Sequence, residues 1–225
     1  MDKIPPVISI TNIVKTYKIG AVSIPALRGI SLEVNQGDFL MIIGRNGSGK
    51  STLLHQLGLL DRPDAGQLFL NGKEVFHVSE TERSKLRLKY IGYIFQEYAL
   101  MAELSAFENV MLPALMLETA TSSAKRAKEL LAKIGLNDKI NHLPTQLSGG
   151  EQQKVAIARA LINHPNVILA DEPTANLDSI AAKDVIDIFK SLNEKDGITI
   201  VMITHEQEEM AYAKKIITLA DGVIV

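Results

Sequence analysis

Short apolar runs alternate with amphipathic segments along most of this chain. Alternating or continuous apolar runs predict strands at residues 7–14, 27–34, 39–43, 67–70, 90–95, 167–170 and 198–203. Apolar residues at helical spacing predict helices that begin at about residue 50 and span residues 121–134 and 181–192. Strands that alternate with helices predict an α/β core with a largely parallel sheet. The first two strands are predicted to be joined by a loop.

Between residues 97 and 164 the pattern becomes mostly helical. This predicts a helical subdomain inserted into the sheet core. A chain of 225 residues is a routine size for one domain. We therefore expect residues 1–225 to form a single domain that carries a small helical subdomain at about 97–164.

Composition narrows the functional classes. The net charge of −2 provides no basic field for nucleic acid or anionic lipid. The absence of cysteine excludes disulfides and thiolate metal sites. The longest apolar run, residues 110–117, is far shorter than the roughly 20 residues that cross a bilayer. With no apolar leader at the start, the chain is predicted to be cytoplasmic, and to act at a membrane only by docking onto another chain.

Residues 44–52 read GRNGSGKST, which matches the phosphate-binding pattern G-x-x-x-x-G-K-[ST]. Glycines allow successive backbone N–H groups to approach a triphosphate, and the following helix directs its positive end at the same phosphates. Lys50 is predicted to reach the β- and γ-phosphates, and the Ser51 hydroxyl to bind Mg²⁺. Kinases, GTPases and motors share this pattern, so by itself it predicts only a nucleoside triphosphate. The predicted nucleotide-binding residues here are Gly44, Arg45, Asn46, Gly47, Ser48, Gly49, Lys50, Ser51 and Thr52.

Residues 167–174 read VILADEPT, an apolar strand that ends in two acidic residues. Asp171 is predicted to lie near Mg²⁺, as the second half of a phosphate-loop site. Adjacent side chains on a strand point in different directions. Glu172 is therefore predicted to face the γ-phosphate and a water molecule.

Residues 146–161 read QLSGGEQQKVAIARAL. Ser148 and Glu151 have the spacing of a capping box, which predicts a helix start. Gly149 and Gly150 leave the N–H groups of the first turn accessible, and such a helix start favours anions. The segment therefore predicts a second phosphate-binding helix start, about a hundred residues from the first.

The LSGGE segment, the helix after it and the DEPT segment about twenty residues later resemble the ATPase domain of ABC transporters. The resemblance spans essentially the whole chain. It implies a P-loop NTPase core with a mainly parallel sheet, an N-terminal antiparallel β portion and an inserted helical subdomain. It also implies ATP and Mg²⁺ as cofactors. In this family the LSGGE segment of one subunit completes the ATP site of the other, so a homodimer on ATP binding is expected.

The same resemblance assigns further residues. Tyr17 matches the aromatic residue that stacks on adenine, and Gln96 the glutamine that contacts Mg²⁺ and the attacking water. His205 matches the γ-phosphate contact, and Asp178 the loop at the dimer interface. The catalytic residues implied in this way are Glu172, His205, Lys50 and Gln96. The implied metal ligands are Ser51, Gln96 and Asp171. The implied residues of the second nucleotide contact are Ser148, Gly149, Gly150, Glu151 and Asp178.

The sequence departs from the family pattern in two places, one of them a pair of residues. Arg45 and Asn46 replace the Pro-Ser pair common at the front of the phosphate loop. The backbone cradle requires neither side chain, so nucleotide binding is expected to survive. Ala175 stands where related exporters often have glycine, which concerns only detail of the dimer interface.

Residues 17–34, 108–116 and 146–161 are most similar to the subgroup that drives lipoprotein release, macrolide or peptide export and a cell-division complex. This similarity implies an integral-membrane permease partner and no nucleic acid. Residues 112–117 are predicted either to line the groove for the coupling helix of that partner or to form subdomain core. The alternative from another class is a soluble ABC ATPase acting on DNA or ribosomes. A P-loop kinase or GTPase would leave the LSGGE segment unexplained.

Overall fold

The structure, a computed structural model, describes residues 5–117 and 120–225, without the side chains of residues 120–122. Its strands are β1 (Ile8–Ile19), β2 (Val22–Val34), β3 (Phe39–Ile43), β4 (Ala65–Leu70), β5 (Lys73–Glu74), β6 (Ile91–Ile94), β7 (Val167–Asp171), β8 (Thr199–Ile203), β9 (Lys215–Ala220) and β10 (Val223–Ile224). Its α-helices are α1 (Lys50–Leu57), α2 (Glu80–Tyr90), α3 (Ala106–Leu115), α4 (Ala120–Lys133), α5 (Gly149–Leu161), α6 (Ser179–Asp196) and α7 (Gln207–Met210).

Within the described residues the strands form two sheets. The larger has the order β10-β9-β3-β8-β7-β6, in which every pair is parallel except β10 with β9. The smaller has the order β2-β1-β4-β5 and is antiparallel. The predicted α/β class, with a mainly parallel core and an antiparallel N-terminal portion, is confirmed.

The central strands of the larger sheet are apolar on both faces because both faces are covered. In β3, Leu40 and Ile42 join the cluster shared with α1 and the antiparallel sheet. Phe39 and Met41 point the other way, into the cluster shared with α5 and α6. This explains why β3 is a continuous apolar run, and its predicted bounds agree with the structure.

The predicted loop between the first two strands is wrong. Strands β1 and β2 continue and pair as far as Ile19 and Val22, so only Gly20 and Ala21 form the turn. Gly20 has a φ of 60°, which suits a tight hairpin turn. The strand ends are largely exposed and carry polar residues, so their apolar pattern is weak.

Helices α3, α4 and α5 share a buried cluster of their own, which includes Val110, Leu131 and Val155. They lie inside the range predicted to be helical, and α4 agrees with its predicted bounds within one residue. The division into a core and a subdomain at about 97–164 stays a prediction. No helix among the described residues is long and apolar enough to cross a membrane.

Candidate functional site

Most of the predicted site residues lie at one edge of the parallel sheet, where its strands end. Strands β3, β8, β7 and β6 are adjacent and parallel, so their carboxyl ends meet at the same edge. The register aligns Ile42 with Ile203, and Ile203 with Asp171. The segments that follow these strands begin at Gly44, at Thr204, at Glu172 and at Phe95. In open α/β sheets, ligands bind outside these strand ends.

The segment from Gly44 to Lys50 links β3 to α1 by a glycine-dependent turn. Gly44, Gly47 and Gly49 all have positive φ, at 149°, 78° and 103°. A Cβ at Gly49 would lie 2.5 Å from the carbonyl oxygen of Ala26. A side chain is therefore excluded there by space as well as by backbone conformation.

Helix α1 begins at Lys50, at the end of this turn, so its unpaired N–H groups face the same site. The Ser48 hydroxyl is buried and has no hydrogen-bond partner among the described residues. A phosphate oxygen would satisfy such a group. The segment therefore fits a phosphate.

Lys50 lies buried against the phosphate loop. Its Nζ donates to the carbonyl oxygens of Gly44 at 3.0 Å and Arg45 at 3.2 Å. Burial lowers the pKa of the Lys50 ammonium, and the nearby carboxylates of Glu172 and Asp171 oppose that shift. The Lys50 ammonium therefore interacts electrostatically with both carboxylates.

The Ser51 hydroxyl donates to Oδ1 of Asp171 at 3.3 Å. The pair joins the start of α1 to the end of β7. Burial raises the pKa of the Asp171 carboxyl above its ordinary value, while the Ser51 hydrogen bond and the charge of Lys50 act in the opposite direction. Hydroxyl and carboxylate oxygens are ligands that Mg²⁺ prefers, together with phosphates and water. Both residues therefore fit a Mg²⁺ ion.

The Asp171 and Glu172 carboxylates diverge, as expected from the sequence, but strand alternation is not the whole cause. Glu172 has a φ of 44°, a left-handed conformation that is uncommon for a residue with a side chain. Its Oε1 lies 2.6 Å from Nε2 of His205, which follows β8. The turn therefore directs Asp171 to Ser51 and Glu172 to His205.

Gln96 lies exposed just beyond β6, at the same sheet edge. Its carbonyl oxygen accepts from Nδ2 of Asn176 at 3.2 Å, and the Tyr98 hydroxyl donates to the carbonyl oxygen of Asn176 at 3.4 Å. The loop after β6 is therefore tied to the loop after Glu172.

The predicted capping box at α5 is confirmed. Ser148 accepts from the backbone N–H of Glu151 at 3.3 Å, and the Glu151 carboxylate accepts from the N–H of Ser148 at 2.8 Å. This backbone hydrogen bond is the main reason that the pKa of Glu151 lies below its usual range. In the ranges 5–117 and 120–225, no hydrogen bond or ion pair joins residues 148–151 to residues 44–52. The two helix starts are thus not brought together within one chain by such contacts.

The start of α5 lies beside the loop after β6 and beside the first turn of α6. A Cβ at Gly149 would lie 2.8 Å from the Tyr98 hydroxyl, and one at Gly150 would lie 2.8 Å from Cβ of Ala181. Asp178 caps α6 by accepting from the N–H groups of Ile180 and Ala181. Ser148 and Asp178 are both exposed, so this surface is open to another molecule.

Tyr17 lies on β1 next to an acidic residue that the sequence analysis missed. Its hydroxyl donates to Oδ2 of Asp61 at 2.9 Å, and Nζ of Lys15 donates to Oδ1 of the same carboxylate at 2.9 Å. Burial and the hydrogen bond to Asp61 raise the pKa of Tyr17. Asp61 follows α1 in a polar turn with no motif around it, so only the fold identifies it.

Comparison with known proteins agrees with this geometry. A family model described as ABC transporter matches residues 27–175. An uncharacterized ABC transporter ATP-binding protein of Methanocaldococcus jannaschii is 52% identical over 95% of this chain and 96% of its own length. The lipoprotein-releasing system ATP-binding protein LolD of Aquifex aeolicus is 48% identical over 96% of this chain and 94% of its own length.

Two further comparisons bear on length and assembly. The macrolide export ATP-binding/permease protein MacB of Bdellovibrio bacteriovorus is 49% identical over 96% of this chain, which spans only 33% of that protein. A solved dimeric ATP-binding cassette, in a post-hydrolysis state bound to ADP and Pi, is 40% identical with a TM-score of 0.89 over 96% of both chains. Since the family model covers more than half of the chain and the relatives cover nearly all of it, the chain belongs to the ABC transporter family.

Proposed function

We propose that this chain is the ATP-hydrolysing subunit of a transporter and drives a separate integral-membrane permease of an exporter or lipoprotein-release complex. ATP hydrolysis is the activity of the family. The observation that carries the proposal is the edge of the parallel sheet. There, Ser51 meets Asp171 at 3.3 Å and Glu172 meets His205 at 2.6 Å, beside the phosphate loop.

In the proposed site each residue has a distinct task. The N–H groups of residues 44–52 and the Lys50 ammonium bind the triphosphate. Glu172 orients or deprotonates the attacking water, and His205 holds Glu172 and contacts the γ-phosphate. Ser51, Asp171 and Gln96 would hold Mg²⁺, which would neutralise phosphate charge. Phosphoryl transfer depends mainly on positioning and electrostatic stabilisation of this kind.

The start of α5 supports a composite site built from two copies. The helix N-terminus formed by exposed Ser148 and half-buried Gly149 and Gly150 favours an anion. Their neighbours within the chain are Tyr98 and Ala181 rather than the phosphate loop. In a two-fold dimer each chain would contribute its α5 start to the ATP of the other. Asp178 would then lie at the dimer interface, and Tyr17 would stack on adenine in its own chain.

An apolar groove beside β6, the outermost strand of the larger sheet, supports a membrane partner. Leu112, Leu115, Met116 and Leu117 are exposed, with Met116 at 68%. Met116 also lines a cavity of about 310 Å³, together with Pro113 and Tyr93. We assign this groove to the coupling helix of the permease, so the chain acts at the cytoplasmic face of a membrane. The relatives LolD and MacB are named for lipoprotein release and macrolide export. Their names favour a transport function over an ATPase that acts on DNA or ribosomes.

The test uses the variant Glu172→Gln, with Glu194→Gln on the exposed face of α6 as the matched control. Size exclusion with and without Mg-ATP is run beside ATPase rates. We expect Glu172→Gln to form a dimer only with ATP and to lose hydrolysis, while the control behaves as wild type. Wild-type turnover in Glu172→Gln would refute the assigned base. ATP binding without a dimer at any concentration would refute the composite site.

A further inference from the structure

The short helix α7 carries a buried carboxylate near the contact between Glu172 and His205. Glu209 is only 6% exposed, although the residues before it on this helix, Gln207 and Glu208, are exposed. Its Oε1 accepts a hydrogen bond from the Thr174 hydroxyl at 2.5 Å, and its Oε2 accepts one from the Thr204 hydroxyl at 2.5 Å. One side chain therefore joins two different loops, and each of its oxygens is used.

The two threonines belong to the loops that carry the catalytic residues. Thr204 directly precedes His205, and Thr174 lies two residues after Glu172. Both threonines are buried, so neither hydroxyl exchanges its partner freely with water. The same loops are also joined by the main chain, since the N–H of Glu172 donates to the carbonyl oxygen of Ile203 at 3.2 Å. Glu209 thus adds a second link between the two loops whose residues Glu172 and His205 are in contact.

A carboxylate in this position requires compensation. Burying an ionised group is unfavourable unless its oxygens receive hydrogen bonds. Hydrogen bonds to a charged acceptor are shorter and stronger than neutral ones, and both oxygens of Glu209 receive one. An apolar side chain of similar volume would fill the space without that requirement. We therefore expect the Glu209 carboxylate to fix the orientation of the two loops, and not only to fill space in the core.

Orientation matters here because Glu172 is in an unusual backbone conformation. Its φ of 44° is unfavourable for a residue with a side chain and persists only where surrounding contacts hold it. The hydrogen bond from Thr174 to Glu209 anchors the segment immediately after this turn. The hydrogen bond from Thr204 anchors the residue before the imidazole that Glu172 contacts.

We propose that Glu209 is a positioning residue for ATP hydrolysis: it holds the loops of Glu172 and His205 so that their side chains meet at the γ-phosphate. In this role it acts through Thr174 and Thr204 rather than on the nucleotide itself. The inference rests on the proposed function, in which Glu172 and His205 carry out hydrolysis.

The first test compares Glu209→Gln with Glu208→Gln, its exposed neighbour on the same helix, which loses the same charge. An amide replaces two charge-assisted hydrogen bonds with weaker ones. Misplacing catalytic groups by about 1 Å lowers rates by up to about 100-fold, so we expect kcat of Glu209→Gln to fall at least about 10-fold. An effect confined to the transition state leaves the KM for ATP within about 2-fold. The ATP-dependent dimer, measured in the Glu172→Gln background, should persist, and Glu208→Gln should match wild type.

A threonine series tests the path through the hydroxyls. Thr204→Ser and Thr174→Ser keep the donor and should retain most of kcat, whereas Thr204→Val and Thr174→Val should lose it. Thr204→Val also removes the acceptor of the Glu206 N–H. Combining it with Glu209→Gln should still cost less than the sum of the two single changes, because both disrupt the bond between Thr204 and Glu209. Melting temperatures of all variants separate positioning from loss of fold.

Three outcomes would overturn the inference. They are a kcat of Glu209→Gln within about 2-fold of wild type, a rise in KM that accounts for the whole loss, or valine variants as active as serine variants. Failure of the proposed function looks different. In that case Glu172→Gln itself would hydrolyse ATP at the wild-type rate, whatever the Glu209 variants do.

Discussion

The imidazole of His205 contacts the carboxylate of Glu172, with Nε2 and Oε1 2.6 Å apart. The two residues belong to loops after neighbouring parallel strands, β8 and β7, and are 33 positions apart in the chain. Neither strand alone could aim its residue at the other, since Glu172 reaches His205 from a left-handed turn. The contact defines one side of the proposed γ-phosphate site.

Removing the imidazole should impair hydrolysis more than binding. In His205→Ala, Glu172 loses its partner and the γ-phosphate loses a donor. Loss of one transition-state donor typically lowers kcat by about 100-fold or more, and we expect a loss of this size. Single-turnover ATPase assays measure it, with His77→Ala as a control at an exposed histidine. Wild-type turnover in His205→Ala would contradict the assigned role.

Asp171 should destabilise the nucleotide-free protein at neutral pH. Burial raises the pKa of its carboxyl above the ordinary value of 3.8. The folded state therefore holds this proton to a higher pH than the unfolded chain does. The resulting stability is fully present below the ordinary pKa, and it is lost as the pH rises through the raised pKa.

The variant Asp171→Asn keeps an oxygen that can accept from Ser51 but carries no charge. We expect its melting temperature at pH 7.5 to exceed that of wild type by about 1–3 °C, a difference that shrinks towards pH 4. Differential scanning fluorimetry across pH measures this, with Asp138→Asn as the exposed control. Hydrolysis of Mg-ATP should be lost. A lower melting temperature than wild type at pH 7.5 would contradict the prediction.

Ser148 is expected to have two separable roles. As the N-cap of α5 it contributes to stability, and Ser148→Ala should lower the free energy of unfolding by about 1 kcal/mol. Ser148→Asp keeps a good N-cap and should retain stability. Both variants should weaken the ATP-dependent dimer in the Glu172→Gln background, the aspartate more strongly because it repels phosphate. An aspartate variant that dimerises as well as its parent would show that Ser148 does not face the γ-phosphate.

The groove beside α3 predicts a phenotype that requires the permease. Met116→Glu places a charge on an exposed apolar surface, so the isolated chain should keep its stability and basal ATPase rate. Co-purification with a co-expressed permease, and stimulation by it, should be lost. Glu103→Lys, at an exposed position before α3, serves as the control for an altered surface charge. Normal permease binding by Met116→Glu would show that the permease docks at a different surface.

The sequence predicted correctly those elements that are determined by a few consecutive residues. The bounds of β3 follow from a short apolar run, and the capping box of Ser148 and Glu151 from a four-residue pattern. The phosphate loop follows in the same way, because its glycines set its own backbone. Helix α2 was not predicted, since it is largely polar and one of its buried residues is Arg83. A buried arginine gives no hydrophobic periodicity.

Contacts between distant segments were decided only by the tertiary structure. The sequence by itself determined the class of the sheet, the phosphate loop and the residue types of the site, because these depend on short-range pattern and backbone freedom. The meeting of Glu172 with His205, of Tyr17 with Asp61, and of Glu209 with two threonines depends on which strand ends lie side by side. In sequence, Glu209 is one of several acids on a short helix. Its burial follows from the packing of that helix against the loops after β7 and β8, and no local pattern encodes that packing.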